Sequence, residues 1–226
     1  MKVKFKYKSP TDIEDIYNIH PYLKDRIKNQ FSILDLGFGD PGNLIYLNYS
    51  IPITEYIGID QMDSNSFSLN IQIPDSIPLP IDLVDCGPED KIPFNKYVKF
   101  HKYHGTGRII SRNKFDKVYK FHFETDALEY INQLNNTKYF SLIIISNLLH
   151  LLDKKIADEL FENSFNHLKD GGLMYIKLYI EDSSRKFYKH IRPYNNLEIK
   201  MLKDKFNIIH FESLNSEGQK IIIGEK

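Results

Sequence analysis

The sequence predicts an α/β protein: a doubly wound, mostly parallel sheet with a C-terminal antiparallel hairpin and an insertion after the second strand. Three observations predict it. Short apolar runs at 33–36, 56–59 and 140–145 alternate with capped, helix-like segments. The run FSLIII at 140–145 is apolar at consecutive positions, as a central parallel strand covered on both faces requires. The last twenty residues read as two strand-like runs, FNIIHFESL and KIIIGEK, separated by a polar turn at 215–218.

Taken in order, residues 11–30 carry a helical pattern opened by Thr11 as N-cap with Glu14 three positions on, broken at Pro21 and resumed through Arg26. A strand at 32–36 follows, then a short helix over 42–49 that stops before Pro52, then a strand at 55–60. Residues 61–120 exceed what a minimal fold needs. Pro74, Pro78, Pro80 and Pro88 favour extended segments and turns there over a long helix. The segment also changes sign. Asp60, Asp63, Asp75, Asp82, Asp85, Glu89 and Asp90 precede a stretch to 120 in which Asp116 is the lone acid among many lysines and arginines. Regular order resumes with a strand at 120–124, a helix at 127–134 capped by Thr125 or Asp126, and the 140–145 strand. A helix at 154–168, a turn at 169–172 and a strand at 173–179 come next. Residues 185–205 look largely helical, interrupted at Pro193.

Composition narrows the class further. The 226 residues are expected to form a single domain with ample core. Thirty basic and thirty acidic side chains cancel, so global charge recruits neither nucleic acid nor membrane. Cys86 is the one cysteine, which excludes an internal disulfide framework and a cysteine-rich zinc site. The N-terminal MKVKFKYK has no apolar core of signal-peptide length, and no run reaches the roughly 18 apolar residues of a spanning helix. A cytoplasmic protein without a membrane partner is expected.

The candidate ligand site lies in ILDLGFGDPG (33–42) and YIGID (56–60). Gly37 and Gly39 allow positive φ and close approach of backbone to a ligand, and Gly42 allows tight packing of the following helix. Asp60 stands near the separation at which a carboxylate after a second strand accepts both hydroxyls of a ribose. Together these suit an adenosyl ligand. Asp35, inside the first motif, favours S-adenosylmethionine over a nicotinamide.

The order of motifs resembles the class I S-adenosylmethionine-dependent methyltransferases, whose sheet is Rossmann-like. The resemblance covers most of the chain outside 61–120. It implies that Asp35, Gly37, Phe38, Gly39 and Gly42 hold the methionyl end of the cofactor and that Asp60 holds the ribose. Gln61 and Met62 would flank the adenine, with Asp126 and Ala127 of FETDALEYI at its amine. The segment IIISNLLHLLD is similar to the family's fourth-strand motif, which puts Ser146 beside cofactor and acceptor alike, while HLKDGGLMYIK is similar to the turn before the fifth strand. Two departures stand out. Pro41 removes an N–H from the glycine-rich loop, and Ser146 and Asn147 occupy the place where some subfamilies carry a catalytic Asp.

For the acceptor side the expected residues are Ser146, Asn147, His150 and Lys177, with His150 as the candidate base because a neutral imidazole suits proton removal near pH 7. A small-molecule acceptor is the first expectation. RNA is the second, since Phe94, Tyr97, Phe100, Tyr103, Phe115 and Tyr119 interleave with cations as a base-stacking, phosphate-binding surface would. Lys177 also resembles one lysine of the Lys-Asp-Lys-Glu tetrad of RNA ribose methyltransferases, with Glu217 as its terminal acid. Two other classes stay open: an NAD-dependent oxidoreductase, although no tyrosine is followed four residues later by lysine, and a non-catalytic cofactor-binding scaffold. No metal site is expected, His101, His104 and His122 being read as ordinary histidines. YHGTGR at 103–108, where Tyr103 and Arg108 flank Gly105 and Gly107, reads first as a surface turn and second as a loop closing over the acceptor or an anion-binding turn.

Overall fold

The computed structural model describes residues 31–38, 53–61, 99–103, 106–110, 118–122, 124–182, 186–215 and 217–226, the strands between 99 and 121 by backbone alone. Two compact units emerge: Met1–Ser32 with Phe38–Asp126, and Ile33–Gly37 with Ala127–Lys226. Strand β1 (Phe31–Leu36) contributes to both. The helices expected at 11–30 and 42–49 lie outside the described residues.

In the first unit, β2 (Ile53–Ile59), β3 (Lys99–Tyr103), β4 (Thr106–Ile110) and β5 (Val118–His122) are ordered β3-β4-β5-β2. β5 runs parallel to β2, from Glu55 opposite Val118 to Ile59 opposite His122. β3 and β4 form an antiparallel pair that extends the sheet beyond β5. The later part of the insertion is therefore extended, while its proline-containing first part lies outside the described residues. The later part makes this edge antiparallel. Tyr103 and Thr106 lie level with His122, and so with the carboxyl end of β2. The strand expected at 120–124 sits two residues earlier, because Glu124 has φ of 52°, a value no strand accommodates.

The second unit contains α1 (Ala127–Gln133), β6 (Phe140–Ser146), a 3₁₀ turn (Leu149–Leu151), α2 (Lys154–Asn166), β7 (Leu168–Tyr179), α3 (Asn196–Lys203), β8 (Ile208–Leu214) and β9 (Gln219–Glu225). Strand order is β1-β6-β7-β9-β8. The first three are parallel, and β9 then returns antiparallel between β7 and β8, giving the expected terminal hairpin. Its turn is tied by Gly218 N–H to Asn215 O at 3.0 Å.

Two expectations are corrected. The turn at 169–172 is not a break before the strand but an irregularity inside β7. Phe140 pairs with Leu168 and Leu142 with Leu173, so the intervening β7 residues are looped out, with Gly171 at φ of 70°. Residues 186–195 are not helical either. Proline at 193 biases Arg192 away from the α region, and the helix starts only at Asn196, where Asn195 and Glu198 form a reciprocal capping box.

Alternation along the strands sorts their side chains. Leu34, Ile143, Ile145, Ile176 and Ile222 are fully buried on one face. There Phe206 lies flat on Gly224 and meets Phe161 and Phe165 of α2 edge to face, at centroid distances of 6.0 and 5.6 Å. The opposite face carries Asp35, Ser146, Lys177 and Gln219 among Ile144, Tyr175, Ile221 and Ile223. That polar row positions the site.

Candidate active site

The first unit supplies one group of candidates at the carboxyl ends of β2 and β5. Both backbone groups of Asp60 are used: its N–H donates to His122 O at 3.0 Å and its carbonyl accepts from Thr125 N–H at 3.1 Å. Phe38 N–H donates to Ile59 O at 3.3 Å, and the Phe38 ring is buried. These bonds immobilise the main chain on either side of the half-buried Asp60. Gln61 Nε2 donates to Asp126 Oδ2 at 2.8 Å, so two residues 65 positions apart that the sequence assigns to one adenine are in direct contact. Ala127 follows as the first residue of α1. Gly39, Gly42 and Met62 lie outside the described residues, as do Pro41 and the side chains of Phe94, Tyr97, Phe100, His101, Tyr103, His104, Phe115 and Tyr119.

The second unit supplies the other group. Asp35 is 1 % exposed within β1, opposite Ile144. A carboxylate so far from water must be held by polar partners. Gly37 follows at φ of 69°, and a Cβ there would touch the Leu148 side chain at 3.4 Å. This glycine is required for its backbone conformation.

Ser146 ends β6 opposite Lys177 of β7, which is 3 % exposed between Ser146 and Ile221. Asn147 turns the chain with φ of 59°. Asparagine tolerates that left-handed conformation better than most residues. Its N–H donates to Lys177 O at 2.8 Å, and its Oδ1 accepts from Gln219 Nε2 at 2.7 Å. Gln219 Oε1 in turn accepts from Asn215 Nδ2 at 3.0 Å. The β8–β9 turn is thus wired to the residue after β6. Glu217, in that turn, is exposed.

His150 is 2 % exposed in the 3₁₀ turn. Tyr179 N–H donates to its Nδ1 at 3.3 Å, and the Tyr179 ring meets the imidazole edge to face at 4.8 Å. A backbone N–H can only donate, so Nδ1 carries the lone pair and Nε2 the proton. Burial, then the charge of Arg192, then that of His190 lower the His150 pKa to about 4. At neutral pH this imidazole is uncharged.

Arg192 is held on several sides. Its N–H donates to His150 O at 2.7 Å, Nη1 donates to Glu198 Oε1 at 2.8 Å, and the guanidinium stacks 4.2 Å above the Tyr194 ring. Its Nε and Nη2 are buried and have no hydrogen-bond partner among the described residues. Leaving such donors unsatisfied costs about 1–3 kcal/mol each. Burial pushes the Tyr194 hydroxyl up to about 12, against the opposing effect of Arg192.

Comparison with known proteins bears on the fold. No family model matches the chain, and no curated protein matches it by sequence. Solved structures do match. TehB from Haemophilus influenzae superposes with a TM-score of 0.56 at 13 % identity, over 96 % of this chain and 62 % of its own. The 1,6-didemethyltoxoflavin-N1-methyltransferase of Burkholderia thailandensis, solved with 1,6-didemethyltoxoflavin and S-adenosylhomocysteine, gives 0.53 at 12 % identity over 96 % and 80 %. An S-adenosylmethionine-dependent methyltransferase of Methanosarcina mazei gives 0.52 at 14 % identity over 91 % and 97 %.

The fold is that of the class I S-adenosylmethionine-dependent methyltransferases. The chain spans little more than half of some members, 57 % of an O-methyltransferase family protein from B. thailandensis among them. Of the site residues that the sequence reading expects, the structure describes Asp35, Gly37, Phe38, Asp60, Gln61, Asp126, Ala127, Ser146, Asn147, His150 and Lys177. That reading does not single out Gln219 or Arg192, which the structure bonds to Asn147 and His150. Gln219 carried a signal, being a polar residue on the face of β9 that Ile221 and Ile223 bury. Arg192 carried none, since its neighbours come from the 3₁₀ turn and α3.

Proposed function

We propose that this protein transfers a methyl group from S-adenosylmethionine to a small-molecule acceptor. The supporting observation is the order of acids, Asp35 near the end of β1, Asp60 just after β2 and Asp126 just before α1, on a fold shared with solved methyltransferases. The residues present fit the cofactor chemically. Asp35 is a buried carboxylate suited to an ammonium, Gly37 has a backbone that admits close approach, and Asp60 is a half-buried carboxylate on a fixed main chain, suited to paired hydroxyls. Gln61 and Asp126, already in contact, offer an amide oxygen and a carboxylate to an adenine amine.

When bound, the sulfonium supplies an activated methyl group, and what the protein must add is chiefly alignment of the nucleophile. Ser146 and Asn147 are assigned to that alignment, Asn147 being held on both its backbone and its side chain. Lys177 adds its amine beside Ser146 on the same sheet face. The expected role of His150 is revised. With Nδ1 occupied by Tyr179 N–H and the pKa near 4, His150 is a poor proton acceptor at neutral pH, and we assign it a hydrogen-bond donor role through Nε2–H.

The test has two parts. Isothermal titration with S-adenosylhomocysteine and with NAD should give saturable binding of the first alone. Incubation with radiolabelled S-adenosylmethionine and fractionated cell extract should place label in the small-molecule fraction. Label in RNA would replace the acceptor class, and saturable cofactor binding without transfer to any fraction would favour the scaffold reading.

A further inference from the structure

We propose that the Nε–Nη2 edge of Arg192 binds an anionic group, carboxylate or phosphate, carried by the methyl acceptor. That the anion belongs to the acceptor rests on the methyl-transfer reading. That Arg192 binds an anion does not.

Nε–H and Nη2–H point the same way from the guanidinium plane and form the side-on fork that matches two oxygens of a carboxylate or phosphate. Both are buried and, among the described residues, without a hydrogen-bond partner. Natural structures satisfy the large majority of such groups, so an unpaired fork calls for a reason.

The rest of the side chain is already held. Glu198 takes Nη1, the Tyr194 ring supports the guanidinium face, and the Arg192 backbone is bonded to His150 O. Glu198 is itself fixed, because its Oε2 accepts from Asn195 N–H at 3.0 Å in the capping box. An arginine serving only as a structural ion pair with Glu198 would have no need to shut its second edge away from water. With one edge held by a helix cap, the other is presented in a set orientation at little further entropic cost.

The surroundings tolerate an added negative charge. Lys154 lies 3.8 Å from Glu198 and also pairs with Asp158, so two cations and two acids balance around the fork. The Arg192 side chain keeps 29 % of its surface in solvent, which leaves a short approach. The fork also belongs to the segment bonded to His150, the turn that follows Ser146 and Asn147 in the chain. An anionic handle held there would orient the acceptor without touching the methyl donor.

Isothermal titration of benzoate and, separately, of inorganic phosphate into the full chain tests this in wild type, Arg192→Lys and Arg192→Gln. At least one anion should bind saturably, roughly tenfold or more weakly in R192Q, and by an intermediate loss in R192K, which keeps the charge but not the fork. Benzoate alone binding identifies a carboxylate handle, and phosphate alone a phosphorylated one. The Arg192 Nε–H resonance of wild type should shift on addition of the bound anion, which decides the matter even if R192Q does not fold. No saturable binding of either anion, equal binding in R192Q, or an unmoved Nε–H resonance overturns the proposal. S-adenosylhomocysteine titrated into wild type separates the two readings: its failure to bind removes methyl transfer and leaves the anion site standing.

Discussion

Gln219 Nε2 donates to Asn147 Oδ1 across 2.7 Å, joining the first residue of β9 to the left-handed residue that follows β6, 72 positions away. Gln219 is 3 % exposed, and removing its amide takes this donor from the half-buried Asn147 Oδ1. Gln219→Leu should lower unfolding free energy by about 1–3 kcal/mol and, under the proposed function, reduce methyl transfer more than S-adenosylhomocysteine binding. Urea denaturation and titration read the two effects, and an unchanged midpoint would remove this bond from the account of the site.

Asp60 is fixed through its N–H and carbonyl, and its carboxylate is proposed to take the ribose. Asp60→Ala should weaken S-adenosylhomocysteine binding by about 1.5–3 kcal/mol, the scale of hydrogen bonds to a charged group. Titration calorimetry measures it, and equal affinity would take Asp60 out of the cofactor site.

Gly224 allows the Phe206 ring to rest directly on β9. A Cβ at 224 would sit 2.2 Å from a Phe206 ring carbon. The ring is packed against Phe161 and Phe165 and has nowhere to retreat. Gly224→Ala should therefore destabilise the protein by about 1–3 kcal/mol through overpacking. Differential scanning calorimetry would detect this as a lowered Tm. A wild-type Tm would mean that Phe206 moves freely, contrary to the packing.

His150 makes stability depend on pH in a stated window. Its folded pKa, near 4, lies below the unfolded value of about 6.5, so between these values the unfolded chain binds more protons and stability rises with pH. The contribution is complete above about pH 6.5 and is lost as pH falls toward 4. It amounts to roughly 3–4 kcal/mol. His150→Asn, which offers an acceptor oxygen to Tyr179 N–H but does not titrate, should flatten unfolding free energy across that window. A curve as steep as wild type would assign the dependence to other groups.

Much of the scaffold was legible because strands and turns announce themselves locally. The runs 33–36, 56–59 and 140–145, the terminal hairpin and the helices opening at 127 and 154 could be read from apolar clustering, caps and turn residues. Misreadings came where tertiary pairing overrode a local signal. Lys169 to Gly172 has turn composition yet is looped out within β7, and 186–195, which shares a helical look with 196–203, is drawn into a bridge between Ile180 and Tyr194.

By itself the sequence determined where a glycine and three acids fall in the order of elements, Asp35 and Gly37 at the end of β1, Asp60 after β2 and Asp126 just before α1, because short-range pattern fixes those elements. Only the tertiary structure decided that Gln61 touches Asp126, that Gln219 holds Asn147, that His150 is neutral with Nδ1 occupied, and that Arg192 keeps one edge unpaired. Each of those depends on desolvation and on partners brought together by strand register and helix packing. Such terms arise from neighbours in space, and spacing along a chain does not encode them residue by residue.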